Sequence, residues 1–171
     1  MRKTYKEENG FTLIEIMAIL VILGILVATV VSRSINLDAD VYAGTDALKN
    51  HLRYAQTMAM NHNPQGGETS AVWGISCDGS KYWLFQGVNT TNHIRLPDDE
   101  QFIDNDRTIN LTRKKISVSG FTVFFDDYGV PYSSYTNSTT NTPLSASLTI
   151  TVSGGSSSKT ITVTPRTGFI P

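Results

Sequence analysis

Residues 10–31 read Gly10-Phe11-Thr12-Leu13-Ile14-Glu15, then IMAILVILGILVATVV to Val31. Between Phe11 and Val31, Glu15 is the only charged side chain; the rest is mostly Ile, Leu, Val, Met and Ala. A helix of about 21 residues is about 31 Å long, close to the hydrocarbon thickness of a bilayer. The flank before it, Met1 to Gly10, is polar and carries three basic residues against two acidic ones, which keeps it on the cytoplasmic side.

Three ordinary readings of this stretch compete. A secretory signal has an apolar region of about 7–15 residues, and this run is longer. A plain signal anchor fits the length but gives no reason for a carboxylate in hydrocarbon, where Glu15 costs about 2.5–3.5 kcal/mol. A buried helix of a soluble enzyme would not start so abruptly after a charged decapeptide. A carboxylate at that depth calls for a cationic partner.

The string from Gly10 to Glu15 resembles the processing site of type IV prepilins and type II secretion pseudopilins. The resemblance implies that a prepilin peptidase cuts between Gly10 and Phe11, and that the new terminal amine of Phe11 is methylated. The physical logic agrees with it. Cleavage creates a cation on Phe11, four residues before Glu15 and on the same helical face. In a filament the buried carboxylate can pair with the amine of a neighbouring subunit and set axial register, as a polar residue in an apolar seam does. Many major pilins have a proline in the second half of this helix. The stretch around Ser32 has none, only Gly24 upstream, which points to a minor subunit.

Beyond Val31 the pattern turns amphipathic. Val41, Leu48, Leu52, Ala55 and Ala59 keep three-to-four spacing, while Asp40, Lys49, Asn50 and Arg53 lie off that stripe. Asn63-Pro64 and Gly66-Gly67 then stop the helix. A helix from Thr12 to His62 would be about 75 Å long. Downstream, Val72 to Cys77, Lys81 to Val88, Ile109 to Val118, Phe121 to Asp126, Ser147 to Val152 and Lys159 to Thr164 read as strands. Gly154-Gly155-Ser156-Ser157 reads as a hairpin turn. Asn89 to Asp106 and Ser133 to Pro143 read as long loops.

Three segments sharpen the resemblance toward the GspH/FimT family of minor pseudopilins and pilins. Leu52-Arg53-Tyr54-Ala55-Gln56-Thr57-Met58-Ala59 looks like its helix stretch. Phe125-Asp126-Asp127-Tyr128-Gly129-Val130-Pro131 looks like its Phe-Asp-x-x-Gly-x-Pro turn, and Thr164-Pro165-Arg166-Thr167-Gly168-Phe169-Ile170 like its closing segment. The chemistry of that turn is structural: Asp126 bonds the turn amides, Gly129 supplies a positive φ, and Pro131 starts the exit.

The remaining residues argue against catalysis. The formal net charge of -1 and 17% charged residues give no bulk attraction to nucleic acid or anionic lipid. A single cysteine, Cys77, excludes an intramolecular disulfide and reads as an inert thiol at a strand end. His51, His62 and His93 share no ligand spacing and read as solvated surface residues. Asp98, Asp99, Glu100, Asp104 and Asp106 form an acidic loop without EF-hand spacing; it reads as solvated, with calcium the lesser reading because major pseudopilins use such a site. Asp126 and Asp127 are adjacent, so as strand neighbours they face opposite sides and do not form an acid–base pair. Arg107, Arg113, Lys114 and Lys115 make a modest basic patch, with Lys159 and Arg166 further on. FimT-like pilins bind DNA through basic C-terminal residues, and two such residues here are thin support for that role. Tyr42, Tyr54, Trp73, Trp83 and Phe85 read as core rather than as a conduction path in an electron-transfer filament.

The expected fold is α+β, the pilin lollipop: a long N-terminal helix, half transmembrane and half amphipathic, packed on an antiparallel β-sheet domain. The expected organisation is a cleaved leader over 1–10, a membrane and filament-core helix over 11–31, an amphipathic helix over 32–63 and a periplasmic β-rich domain over 64–171. The expected function is a GspH-like minor pseudopilin at or near the tip of a type II secretion pseudopilus, with no catalytic, cofactor or metal site. The alternative is a FimT-like minor pilin priming a type IV pilus. Expected partners are the prepilin peptidase, other minor and major pseudopilins or pilins, the bacterial inner membrane and secreted cargo, with DNA disfavoured.

Overall fold

The computed structural model describes residues 11–61, 71–98 and 100–171, without the side chains of residues 31–37 inside the first helix. The leader including Gly10, His62, the helix stop at Asn63-Pro64 and Gly66-Gly67, and Asp99 lie outside the described residues. The chain divides into two compact units, Met1–Asn36 and Leu37–Pro171. Helix α1 runs Leu13–Asn61.

In the first unit, Leu13–Val30 has a mean hydropathy of 2.8 and none of it is buried inside the structure. Thr29 Oγ1, one of its few polar atoms, donates to Leu26 O at 2.8 Å, so the hydroxyl is satisfied within the helix.

In the second unit, the expected stripe on α1 is the buried face. Val41, Leu48, Leu52, Ala55 and Ala59 are all buried, and Thr45 joins them by donating its hydroxyl to Val41 O at 2.7 Å. They pack on two antiparallel sheets. The larger has the order β3 (His93–Ile94), β2 (Lys81–Gln86), β1 (Trp73–Cys77), β6 (Phe121–Phe125), β7 (Pro131–Tyr135), β8 (Asn141–Pro143), with β4 (Ile109–Asn110) on β2; the smaller has the order β10 (Ser157–Val163), β9 (Leu148–Gly154), β5 (Ser117–Val118). Strands β1 (Trp73–Cys77), β2 (Lys81–Gln86), β6 (Phe121–Phe125), β9 (Leu148–Gly154) and β10 (Ser157–Val163) lie where the β-branched and aromatic runs place them.

Alternation on the larger sheet sorts its side chains into two clusters. Ile75, Tyr82, Leu84, Val123 and Phe125 join the α1 core together with Ile150, Val152, Ile161 and Val163 of the smaller sheet. Phe85, Phe124 and Val72 form a second cluster with Trp83, Tyr132 and Tyr135 packed against it.

Three expectations fail here. The strand expected over Ile109–Val118 is two short ones, β4 (Ile109–Asn110) and β5 (Ser117–Val118), belonging to different sheets. Four polar residues, Thr112 to Lys115, fill the gap with a turn. Asn110 Oδ1 accepts Arg113 N at 3.1 Å, Ile116 N reaches Leu111 O at 3.1 Å, and Lys115 takes φ 57°. Leu111 and Ile116 at its two ends are both buried, so the turn is anchored by burial rather than by strand pairing. Second, the segment expected as a loop over 133–143 supplies most of β7 (Pro131–Tyr135) and all of β8 (Asn141–Pro143), and β3 (His93–Ile94) lies in the other expected loop. Their Ser, Thr and Asn side chains face solvent, so no apolar alternation marks them. Third, Tyr42 and Tyr54 are exposed rather than core, at 55% and 37%.

Candidate functional site

The start of α1 is built for its own termination as a helix. Thr12 O accepts Glu15 N at 3.1 Å and Ile16 N at 3.2 Å, and Thr12 Oγ1 also lies 3.3 Å from Glu15 N. Thr12 is therefore the N-cap, and Glu15 stands at the third helical position, the spacing of a capping box. A carboxylate in the first turn also complements the helix dipole. Phe11 is exposed, as are the large apolar residues through Val30. Phe11 and Glu15 are four residues apart, with an uninterrupted lipophilic surface after them.

The second place where sequence signals meet is in the globular unit. Phe125 ends β6, and the next residue turns the chain. Asp126 Oδ1 accepts Tyr128 N at 3.0 Å and Val130 N at 2.8 Å, while its Oδ2 accepts the Tyr132 hydroxyl at 2.8 Å. Gly129 closes the turn through its N–H to Asp126 O at 2.9 Å and has φ 75°. Pro131 begins β7 opposite Phe125. Burial first, and then the hydrogen bond to Asp126, push the Tyr132 hydroxyl well above its ordinary pKa, so it stays a donor.

Gln56 of α1 ties this turn to the closing segment. Its Nε2 donates to Gly129 O at 2.9 Å and to Thr167 O at 3.1 Å. Gly168 has φ 61°, and a Cβ there would stand 2.5 Å from both Gln56 Nε2 and Gly129 O. One helical turn away, Arg53 Nη2 donates to Ile170 O at 2.9 Å. The three segments that resemble the GspH/FimT family thus converge on one amide. Sequence reasoning did not single out Gln56, Arg53 or Tyr132. The signal for Gln56 was a polar residue flanked on the helix by the buried Leu52, Ala55 and Ala59.

The histidines need correction. His51 is buried, not solvated: its Nε2 lies 3.2 Å from Pro97 O and its Nδ1 2.9 Å from the Tyr82 hydroxyl. A carbonyl only accepts, so Nε2 carries the proton and Nδ1 accepts from Tyr82. Desolvation lowers the His51 pKa. His93 is in β3, with Nδ1 2.9 Å from Asp106 O.

The acidic loop is cross-linked by cations rather than merely solvated. Asp98 pairs with Lys114 at 2.6 Å, Glu100 with Arg95 at 2.8 Å, and Asp104 with both Lys81 and Arg113 at 2.9 Å. The hydrogen bond from Lys81 holds Asp104 below the usual carboxylate range, and that from Thr108 does the same for Asp106. Among the described residues no group of three or more His, Cys, Asp or Glu is arranged to hold a metal ion. The same pairs occupy much of the basic patch: Arg113 and Lys114 are engaged as above, and Lys159 stacks on Tyr42 at 4.1 Å from the ring centroid. Cys77 is buried at the end of β1, and desolvation raises its thiol to about 11, far from a reactive thiolate.

Compared with known families, residues 5–31 match the prokaryotic N-terminal methylation motif. No curated protein and no solved structure matches the chain. The chain therefore carries a type IV pilin-like prepilin leader followed by one apolar helix long enough for a single membrane pass. That motif implies processing by a prepilin peptidase and pilin-like partners, and it points to the pilin and pseudopilin class.

Proposed function

We propose that this protein is a minor pseudopilin of the GspH type, a structural subunit at or near the tip of a type II secretion pseudopilus. The observation that carries the filament role is the methylation motif at 5–31 joined to an apolar helical segment, Leu13–Val30, with no buried residue and a single carboxylate in its first turn. The GspH/FimT assignment is supported by the convergence of Gln56, the Asp126 turn and the Gly168 segment. In the assembled state the Phe11 amine of one subunit neutralises Glu15 of a neighbour, the globular domain lies in the periplasm, and other minor subunits and secreted cargo contact it. A FimT-like pilin would share every one of these features. A formal net charge of -1 with only scattered basic residues favours the secretion reading over a DNA-uptake role.

The test is the mature N-terminus. Mass spectrometry of the chain recovered from membranes should place it at Phe11 with one added methyl group, and Gly10→Ala should leave the leader attached. An N-terminus elsewhere would overturn the reading.

A further inference from the structure

The two sheets end in edges of unequal kind. On the larger sheet, β3 has 2 residues, β4 has 2, and β8 has 3 including Pro143, beyond a register shift between Tyr132 and Ser134. On the smaller sheet, β5 has 2 residues. Short strands, proline and irregular register are the ordinary ways in which a protein blunts an edge. Strand β10 carries none of them. It has 7 residues, pairs only with β9, keeps unbroken register from Ser157↔Gly154 to Val163↔Leu148, and contains no proline.

Which of its amides are free follows from the hairpin. Two residues, Gly155 and Ser156, join the strands, so the flanking pair Gly154–Ser157 is hydrogen-bonded and the bonded pairs recur at every second residue. Lys159, Ile161 and Val163 therefore bond to β9, and Ser158, Thr160 and Thr162 turn their N–H and C=O groups away from it. The far side of β9 confirms the parity: Thr151, opposite Thr160, offers its carbonyl to Ser119 N at 2.8 Å in the direction of β5. The one charged side chain of β10, Lys159, is folded inward over Tyr42, and the Ser157 hydroxyl bonds Asp38 on α1, so no charge guards the open edge. Ser158 and Thr160 are exposed and Thr162 is half-buried. Among the described residues, nothing pairs with the outward groups of this edge.

The geometry points to β10 as a docking edge that accepts an extended strand from a neighbouring subunit of different sequence, continuing the smaller sheet. The ligand chemistry is main-chain: alternating N–H and C=O groups that bond residues 158, 160 and 162, with small or β-branched side chains lying beside Thr160 and Thr162. A second copy of β10 is the lesser occupant. Strand-on-itself pairing is isologous and needs a twofold axis, whereas subunits of a polar filament meet head to tail. This choice of occupant rests on the filament-subunit reading.

Hydrogen exchange on the full-length chain, resolved amide by amide, tests it in two states: purified alone in detergent micelles, and within filaments isolated from native membranes. The amides of Ser158, Thr160 and Thr162 should exchange without protection in the purified chain and slow by about 100-fold or more in the filament. Those of Lys159 and Ile161, bonded to β9, should be protected in both and report folding. Thr160→Pro removes one outward N–H without touching the β9 ladder, and Thr160→Lys places a charge on the edge; each should cut recovery of neighbouring subunits with the chain at least tenfold. If the proline variant loses the Lys159 and Ile161 protection, the lysine variant decides. Unprotected outward amides in the filament, undiminished recovery with the folded variants, or protection already present in the purified chain would each overturn the proposal. Intact mass of the same samples separates the two inferences, because a chain processed at Phe11 and assembled, yet open at β10, sinks the edge alone.

Discussion

Gln56 uses one side-chain amide to hold two carbonyls that lie 73 and 111 residues further along the chain, so its loss should be felt by both segments. Gln56→Leu keeps the volume but leaves Gly129 O and Thr167 O without that donor, and is expected to cost about 1–2 kcal/mol, a fall of several degrees in Tm. Asp126→Ala removes three hydrogen bonds and should cost more, about 2–4 kcal/mol, whereas Tyr132→Phe removes one and should cost about 1 kcal/mol. Thermal unfolding of the globular domain ranks the three; equal losses would contradict the bond count. Burial lowers the pKa of His51, so as pH falls below about 6.5 the unfolded chain takes up a proton that the folded one does not. Stability should therefore decline from about pH 6.5 downward until the folded pKa is reached, with a slope of at most about 1.4 kcal/mol per pH unit. His51→Gln should flatten that slope between about pH 6.5 and 5, above the range where carboxylates titrate. Neither role is visible in the residue type alone. A helix-face His and Gln look solvated until Pro97, Tyr82, Gly129 and Thr167 are brought to them from distant parts of the chain.

Among the elements, α1 was the most legible, because its two patterns, apolar all round and then one-sided, follow directly from what each segment must face. Glu15 sits in its first turn beside the Thr12 cap, which makes the carboxylate tolerable for an isolated helix and useful to an assembled one. Glu15→Val should leave insertion intact or improve it, since a carboxylate leaves hydrocarbon, while impairing recruitment into filaments. Normal filament incorporation of the variant, measured by shearing and immunoblot, would remove Glu15 from the register role. The strands divided by burial. Tyr82-Trp83-Leu84-Phe85 and Phe121 to Phe125 announce themselves because both faces of their sheet are covered. β7 and β8 do not, since their polar faces meet water and their pairing comes from the Asp126 turn. The run Ile109 to Val118 misled for the opposite reason: apolar residues at both ends imitate a strand, but Leu111 and Ile116 reach the core from either side of a turn.

At the scale of the whole molecule, a chain begun near Ser34 should be a soluble, independently folded β-domain, because the unit Leu37–Pro171 contains the buried core described above. That domain should show no measurable binding to duplex DNA near physiological salt, since Arg113, Lys114 and Lys159 already have partners. A gel shift with micromolar, salt-sensitive affinity, weakened by changing Lys159 and Arg166 together to Ala, would instead favour the DNA-uptake reading. The sequence by itself determined the apolar segment long enough to cross a membrane, the methylation motif, the buried stripe of α1 and the α+β class, because each is a local or periodic pattern. Only the tertiary structure decided the clamp at Gln56, the burial of His51, the cation pairing of the acidic loop and the open edge at β10. Each of those depends on which remote group arrives within hydrogen-bonding distance, or fails to arrive, and no local pattern encodes that.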